Sequence, residues 1–285
     1  MSRFLAVPVL RPLVLLPLLA LPLCARAAPP VEALYARSNG DLAENERPGK
    51  YVGLNVLDGK PGTVWCSAGT GQDATLEVQF LRSVTIEKLE VASGHQAGGQ
   101  FKAFGRPRRI EVIEGDMAHP MELADRAGRQ TLEFDPPLSS DRLIFKFKSG
   151  YRGEHRHICI ADLVFLHGNK PLNGAKQNPI GKGGAEKRPL LDAWTSGPAY
   201  ARNRELVLGL GDTYRFSYLP SEDSDAPVQK TGPWRIEGGA VQLKDGKEWV
   251  LVELEKDDAG RVEKLRIEAE PFTGTYARRT PGHFH

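Results

Sequence analysis

Cysteine is scarce in this chain. It has three, at positions 24, 66 and 159, and none stands in the paired spacing of a structural zinc site. Catalytic signatures are missing as well: there is no nucleophile elbow and no phosphate-cradling glycine loop. Lys230-Thr231-Gly232 matches a triplet of penicillin-recognising enzymes. It lacks the companion Ser-x-x-Lys nucleophile, so it reads as the start of a strand. No segment after the first 28 residues is apolar enough to cross a membrane. Charge of one sign is lacking too, because the formal net charge is only +2. That gives no reason to expect nucleic acid or an anionic membrane as partner.

The N-terminus accounts for part of this balance. Arg3 and Arg11 accompany an uncharged apolar run from Leu13 to Leu23, and Ala25-Arg26-Ala27 follows. This three-part pattern is that of a secretory signal peptide, residues 1–27, cut after Ala27 or Ala28. The alternative is a lipoprotein signal on Cys24, but Leu21-Pro22-Leu23 lacks the small residue expected just before a lipidated cysteine. Loss of the three signal arginines takes the formal charge to about −1. The expectation is a bacterial protein that is periplasmic or secreted. In such an oxidising compartment Cys66 and Cys159 read by default as a disulfide, with two separate buried thiols as the alternative.

What is abundant is short alternating runs. Ala74–Phe80 places Leu76, Val78 and Phe80 on one face. In Val84–Ser93 the step from Ile86 to Leu89 breaks the period of two and predicts a bulge or bend. Arg108–Gly115, Arg129–Phe134, Arg142–Ser149 and His157–Leu166 complete a first set of strands, and Pro30–Ser38 has modest helical character. A stretch from His167 to Pro189, rich in glycine and proline, predicts a flexible linker over 168–189. Seven further strands follow between Arg204 and Arg279, separated by hairpin turns such as Asp245-Gly246. The fold class is therefore all-β: a sandwich over 30–167, then a small up-and-down barrel over 190–285. The linker would let the two act semi-independently. The acidic loop Pro220–Lys230 reads as solvated, since it lacks a calcium-ligand array.

Four motifs over Tyr35–Leu166 resemble the discoidin, or coagulation-factor C, family, and most closely the domain attached to bacterial NAD glycohydrolases. They are Asn55-x-x-Asp58-Gly59-x-x-x-Thr63-x-Trp65, the strand end at Ser93-Gly94-His95, the strand start at Arg106 and Arg109, and the closing Cys159-Ile160-Ala161-Asp162 strand. The resemblance implies a jelly-roll sandwich used for attachment and brings no NADase activity with it. It also allows a structural calcium ion at the Asp58–Thr63 turn, with no other cofactor. Through Thr231–Leu243 and the closing Gly274–Arg279, the barrel is weakly similar to small bacterial lipocalin-like proteins, which implies an apolar cup.

Glycan recognition needs fixed hydrogen-bond donors and an aromatic platform. Discoidin-like domains present these from loops at one end of the sandwich, which makes His95, Gln96, Gln100, Arg106, Tyr151 and Arg152 the candidate ligand-binding residues, with Phe101 and Phe104 as aromatics. The competing reading is that Phe101 and Phe104 cap the core and Arg106 makes a structural ion pair. His155 and His157 share a face in an extended chain and could hold a metal only if a third ligand arrives; no metal residues are assigned. The expected function is an exported, non-enzymatic protein that binds a glycan or an envelope protein. Two alternatives remain: an enzyme or accessory subunit with its pocket in the barrel, and a structural interaction protein.

Overall fold

A computed structural model describes residues 33–43, 46–47, 49–60, 62–173, 184–197, 204–220 and 226–279. The signal-peptide reading, with Cys24, residues 174–183 of the linker reading, and residues 221–225 of the acidic loop lie outside the described residues.

The first domain contains β1 (Ala33–Ser38), β2 (Trp65–Cys66), β3 (Thr75–Ser93), β4 (Arg106–Glu114), β5 (Met117–Glu122), β6 (Arg129–Tyr151), β7 (Cys159–His167) and β8 (Lys170–Pro171). Two of these are long, β3 with 19 residues and β6 with 23, and they belong to both layers. The N-terminal half of β3 pairs with β1 and with the C-terminal half of β6, which continues to β4 and β5. The C-terminal half of β3 pairs with β7 and with the start of β6, and β2 pairs with β7. Register breaks at Gln79/Val84 and Ile86/Lys88 mark the bend between layers. The second break is where the hydrophobic period stepped from two to three. It lets Ile86, Leu89 and Val91 all face one core with Leu76, Val78 and Phe80.

One local expectation fails. Ala33–Ser38 is a strand, not a helical turn, because pairing with β3 decides a segment whose own propensity is weak.

The second domain is a closed eight-stranded antiparallel barrel of β9 (Asp192–Ser196), β10 (Arg204–Leu208), β11 (Thr213–Tyr218), β12 (Val228–Glu237), β13 (Ala240–Asp245), β14 (Glu248–Lys256), β15 (Val262–Ile267) and β16 (Gly274–Arg278), with β9 closing between β16 and β10. Sequence reasoning finds seven of these and misses β9, whose five residues carry only two apolar side chains. The expected apolar cup is occupied by side chains. Trp194, Tyr214, Phe216, Trp234, Phe272 and Tyr276 are all buried in the barrel core. Their polar tips donate to backbone carbonyls: Trp194 Nε1 to Leu190 (3.1 Å), Trp234 Nε1 to Gly209 (3.0 Å), Tyr214 Oη to Lys244 (2.9 Å) and Tyr276 Oη to Phe272 (2.5 Å). Burial pushes the Tyr214 and Tyr276 phenols up to about 12, so neither exchanges a proton near neutral pH.

The two domains are docked, which corrects the expectation of semi-independence. In the described part of 168–189, β8 extends the sheet beyond β7. Asn173 then bonds the β7 backbone at Leu163 (2.7 Å) and Phe165 (2.8 Å). The alternating polar positions of β3, Glu77 and Gln79, are 1% and 3% exposed because the barrel covers them. Glu77 receives Arg142 (2.9 Å) and Arg37 (3.5 Å) from the sandwich, and Arg279 from the barrel. Arg279 also holds Glu205 (2.8 Å). Arg215 reaches the other way, to the Phe80 carbonyl (3.0 Å) and Asp141 (2.8 Å). Beside this network Ala193, Val207 and Leu210 of the barrel join the sandwich core. The linker composition says only that the connection is loose; the flanking faces are complementary in charge, and that fixes the pair.

Candidate functional site

The ends of β3, β6 and the starts of β4 and β7 meet at one end of the sandwich, and Cys66 and Cys159 tie that end together. The two cysteines face each other in the β2–β7 register and form a buried disulfide with Cα atoms 4.1 Å apart. Three loops hang from its backbone. The Cys66 N–H donates to the Tyr51 carbonyl (3.2 Å), the Gly94 N–H to the Cys159 carbonyl (2.8 Å), and the Cys159 N–H to the Gly105 carbonyl (3.0 Å). The residues beside those anchor points carry the aromatic rings. Phe104 lies 5.8 Å from the stacked His95 ring, 5.0 Å from His155 and 6.3 Å from Tyr51, centroid to centroid. Phe104 and His95 are half-buried and His155 is exposed, so the group presents a partly open aromatic surface. Lys50 lies at its border, with Nζ 4.9 Å from the Tyr51 ring centre.

The polar atoms of this surface are defined. The Ala97 N–H donates to His95 Nδ1 (3.3 Å), which leaves the ring proton on Nε2 as a donor. Burial, with the Lys50 charge adding to it, lowers the His95 pKa from its ordinary value and keeps the ring neutral at pH 7.

Of the two readings of Arg106, ligand donor or structural ion pair, the structure shows the second: it is 2% exposed and its guanidinium is spent internally. It bonds Asp125 (2.7 and 3.2 Å), the Phe104 carbonyl (2.7 Å) and the Arg152 carbonyl (2.9 Å), and lies over the Phe101 ring. These bonds fasten the Gly94–Gly105 loop to the 152–157 loop. Gly94 allows the approach: it has φ +74°, and a Cβ there would stand 2.7 Å from Arg106. Gly153 is as close to Phe104, where a Cβ would come within 2.4 Å of its backbone.

The other candidates separate. Gln96 is used within its loop, donating to Ser93 and accepting the Gly128 N–H (3.0 Å). Tyr151 Oη donates to the Leu123 carbonyl (3.0 Å) beside Arg108, away from Phe104. Gln100 and Arg152 are exposed. His157 faces the Ser67 (3.0 Å) and Gly69 (3.2 Å) carbonyls while the His155 ring leans against Phe104 at 43°, so the two histidines do not converge. Among the described residues no cluster of His, Cys, Asp and Glu has metal-binding form. Sequence reasoning misses Lys50 and Tyr51. Their signal lies just upstream of the Asn55 motif, since the buried Asn55 amide donates to both the Lys50 and the Val64 carbonyls (2.9 Å each).

The motif's other residues are structural. Trp65 is fully buried and its Nε1 donates to Asp41 (3.0 Å). The Asp58 carboxylate is taken by the Thr63 hydroxyl (2.7 and 2.8 Å) and the Lys60 N–H (2.9 Å). Those donors close the turn and occupy the one carboxylate that it could offer to the calcium ion that the resemblance allows.

The layers, the strand order and the closing strand define the first domain as a discoidin-like jelly-roll sandwich. Residues 33–166 match the family described as the NAD glycohydrolase translocation F5/8 type C domain. Solved structures similar to the chain include the family 32 carbohydrate-binding module of C. perfringens NanJ in complex with galactose. It shares 16% identity, the match covers 47% of this chain and 98% of that one, and the TM-score is 0.36. The F5/8 type C domain of a Bacteroides fragilis protein shares 14% identity, with 48% and 95% covered and a TM-score of 0.37. No curated protein matches the chain.

Proposed function

We propose that the protein is an exported, non-catalytic binding protein whose sandwich domain holds a carbohydrate at the Phe104 surface. The carrying observation is the ring of Phe104 between His95 and His155, at the end of the sandwich where four strand termini converge. A half-open aromatic face suits the apolar face of a sugar ring, and the His95 Nε2–H and Gln100 amide stand in the same loop as hydroxyl partners. The pattern of residues 1–27 supports export to the periplasm or beyond. An envelope protein as partner is the second reading. An enzyme in the barrel is disfavoured by the bonded aromatic tips that occupy its interior.

The test is a glycan array with the full chain, followed by calorimetric titration of the best ligand. Phe104→Ala is expected to weaken binding by about tenfold or more, as loss of a central aromatic contact does. Its thermal melt should stay close to that of the parent. Retention of no glycan, with capture of an envelope protein instead, overturns the carbohydrate reading.

A further inference from the structure

The border of the Phe104 surface is cationic. Lys50 lies over Tyr51, and its charge is felt at His95. The loop after β6 carries Arg152 and Arg156 on either side of His155, and both are exposed. Among the described residues no acidic group pairs with Lys50, Arg152 or Arg156. The acids nearby are few. Asp125 is bound by Arg106 and Lys102 (2.7 Å each), which leaves Glu46 and Glu154 as the exposed carboxylates among the described residues of these loops. Elsewhere on the sandwich some surface cations stand in pairs, such as Arg108–Glu122 (2.9 Å) and Lys148–Glu111 (3.1 Å), while others such as Arg82 and Arg126 stand alone among the described residues; what sets Lys50, Arg152 and Arg156 apart is that they border the aromatic platform. Unpaired cations around a partly dry aromatic platform attract an anion, and the platform specifies a ring-shaped one.

We propose that the saccharide bound at Phe104 is anionic, with its carboxylate or sulfate facing Lys50 and the Arg152–Arg156 loop. This rests on the carbohydrate reading above and adds the ligand class to it. Three probes test it with the full chain by titration: an oligogalacturonate, a heparin-derived oligosaccharide and a neutral galacto-oligosaccharide of similar length. At least one anionic probe should bind about tenfold more tightly than the neutral one. That preference should fade as salt rises from about 50 to about 500 mM, because exposed charges are screened. The triple variant Lys50→Glu, Arg152→Glu, Arg156→Glu should remove the preference and keep neutral binding, whereas Phe104→Ala should weaken both. Whether the carboxylate or the sulfate probe binds identifies the anion. Equal affinity for neutral and anionic probes, or a preference that salt does not touch, overturns the charge inference and leaves the platform standing. Failure of all three probes removes both, and binding to anionic phospholipid vesicles alone does the same.

Discussion

Arg279→Ala should destabilise the whole protein by about 3–5 kcal/mol, the cost expected when one partner of a buried ion pair is removed. Arg279 is 7% exposed and holds Glu77 of the sandwich and Glu205 of the barrel at once. Burial works against its charge, but Tyr35, Glu77 and Glu205 outweigh that and raise its pKa. For Glu205, burial pushes the carboxyl up, while Arg279 and Arg215 pull it further down, so it ends below its ordinary value. A depressed carboxyl contributes stability above its unfolded pKa and loses it as pH falls through the folded one. In the variant Glu205 keeps its burial and loses a guanidinium, so its pKa rises. The deficit should therefore be largest at neutral pH and shrink towards pH 4, where protonation relieves that acid. Chemical denaturation of parent and variant across that range reads it directly. A deficit that does not change with pH would show that the network contributes packing alone. Arg215 (3.3 Å from Glu205) and Arg142 remain in place, so the lower end of the range is expected.

Cys66→Ala with Cys159→Ala should cost about 4–5 kcal/mol if chain entropy dominates, because the bond closes a separation of 93 residues. For a protein of this size that is a fall in Tm on the order of 10 °C. Calorimetry with and without reductant, set beside the double variant, measures it. Glycan binding should weaken as well, since the Tyr51, His95 and Phe104 segments are each hydrogen-bonded to a cysteine backbone. An unchanged Tm would mean that the sandwich core alone holds this corner.

The motifs allowed part of this to be read in advance. Period-two alternation and hairpin turns gave two all-β domains, and the order of four weak motifs gave the discoidin-like fold. The broken period at Ile86 marked the bend between layers. Sites were harder to read. Arg106 stands where a ligand donor would, yet the same loop geometry that brings it near the surface supplies it with Asp125 and two carbonyls. Lys50 and His155 are 105 positions apart, and only the disulfide register brings their segments to one ring.

The sequence by itself determined which side of each strand is apolar, where the chain turns, and which two cysteines could pair. The tertiary structure decided what covers the other sides. Glu77 and Gln79 on β3, and Glu205 and Arg215 on the barrel, occupy the positions that a half-buried strand gives to water. They are covered because the two faces interlock, with Arg279 of the barrel reaching Glu77 and Arg215 reaching Asp141 of the sandwich. Alternation records the preference of a face for water or core, and it carries no information about a complementary charged face more than a hundred residues away. That complementarity exists only once both domains have folded.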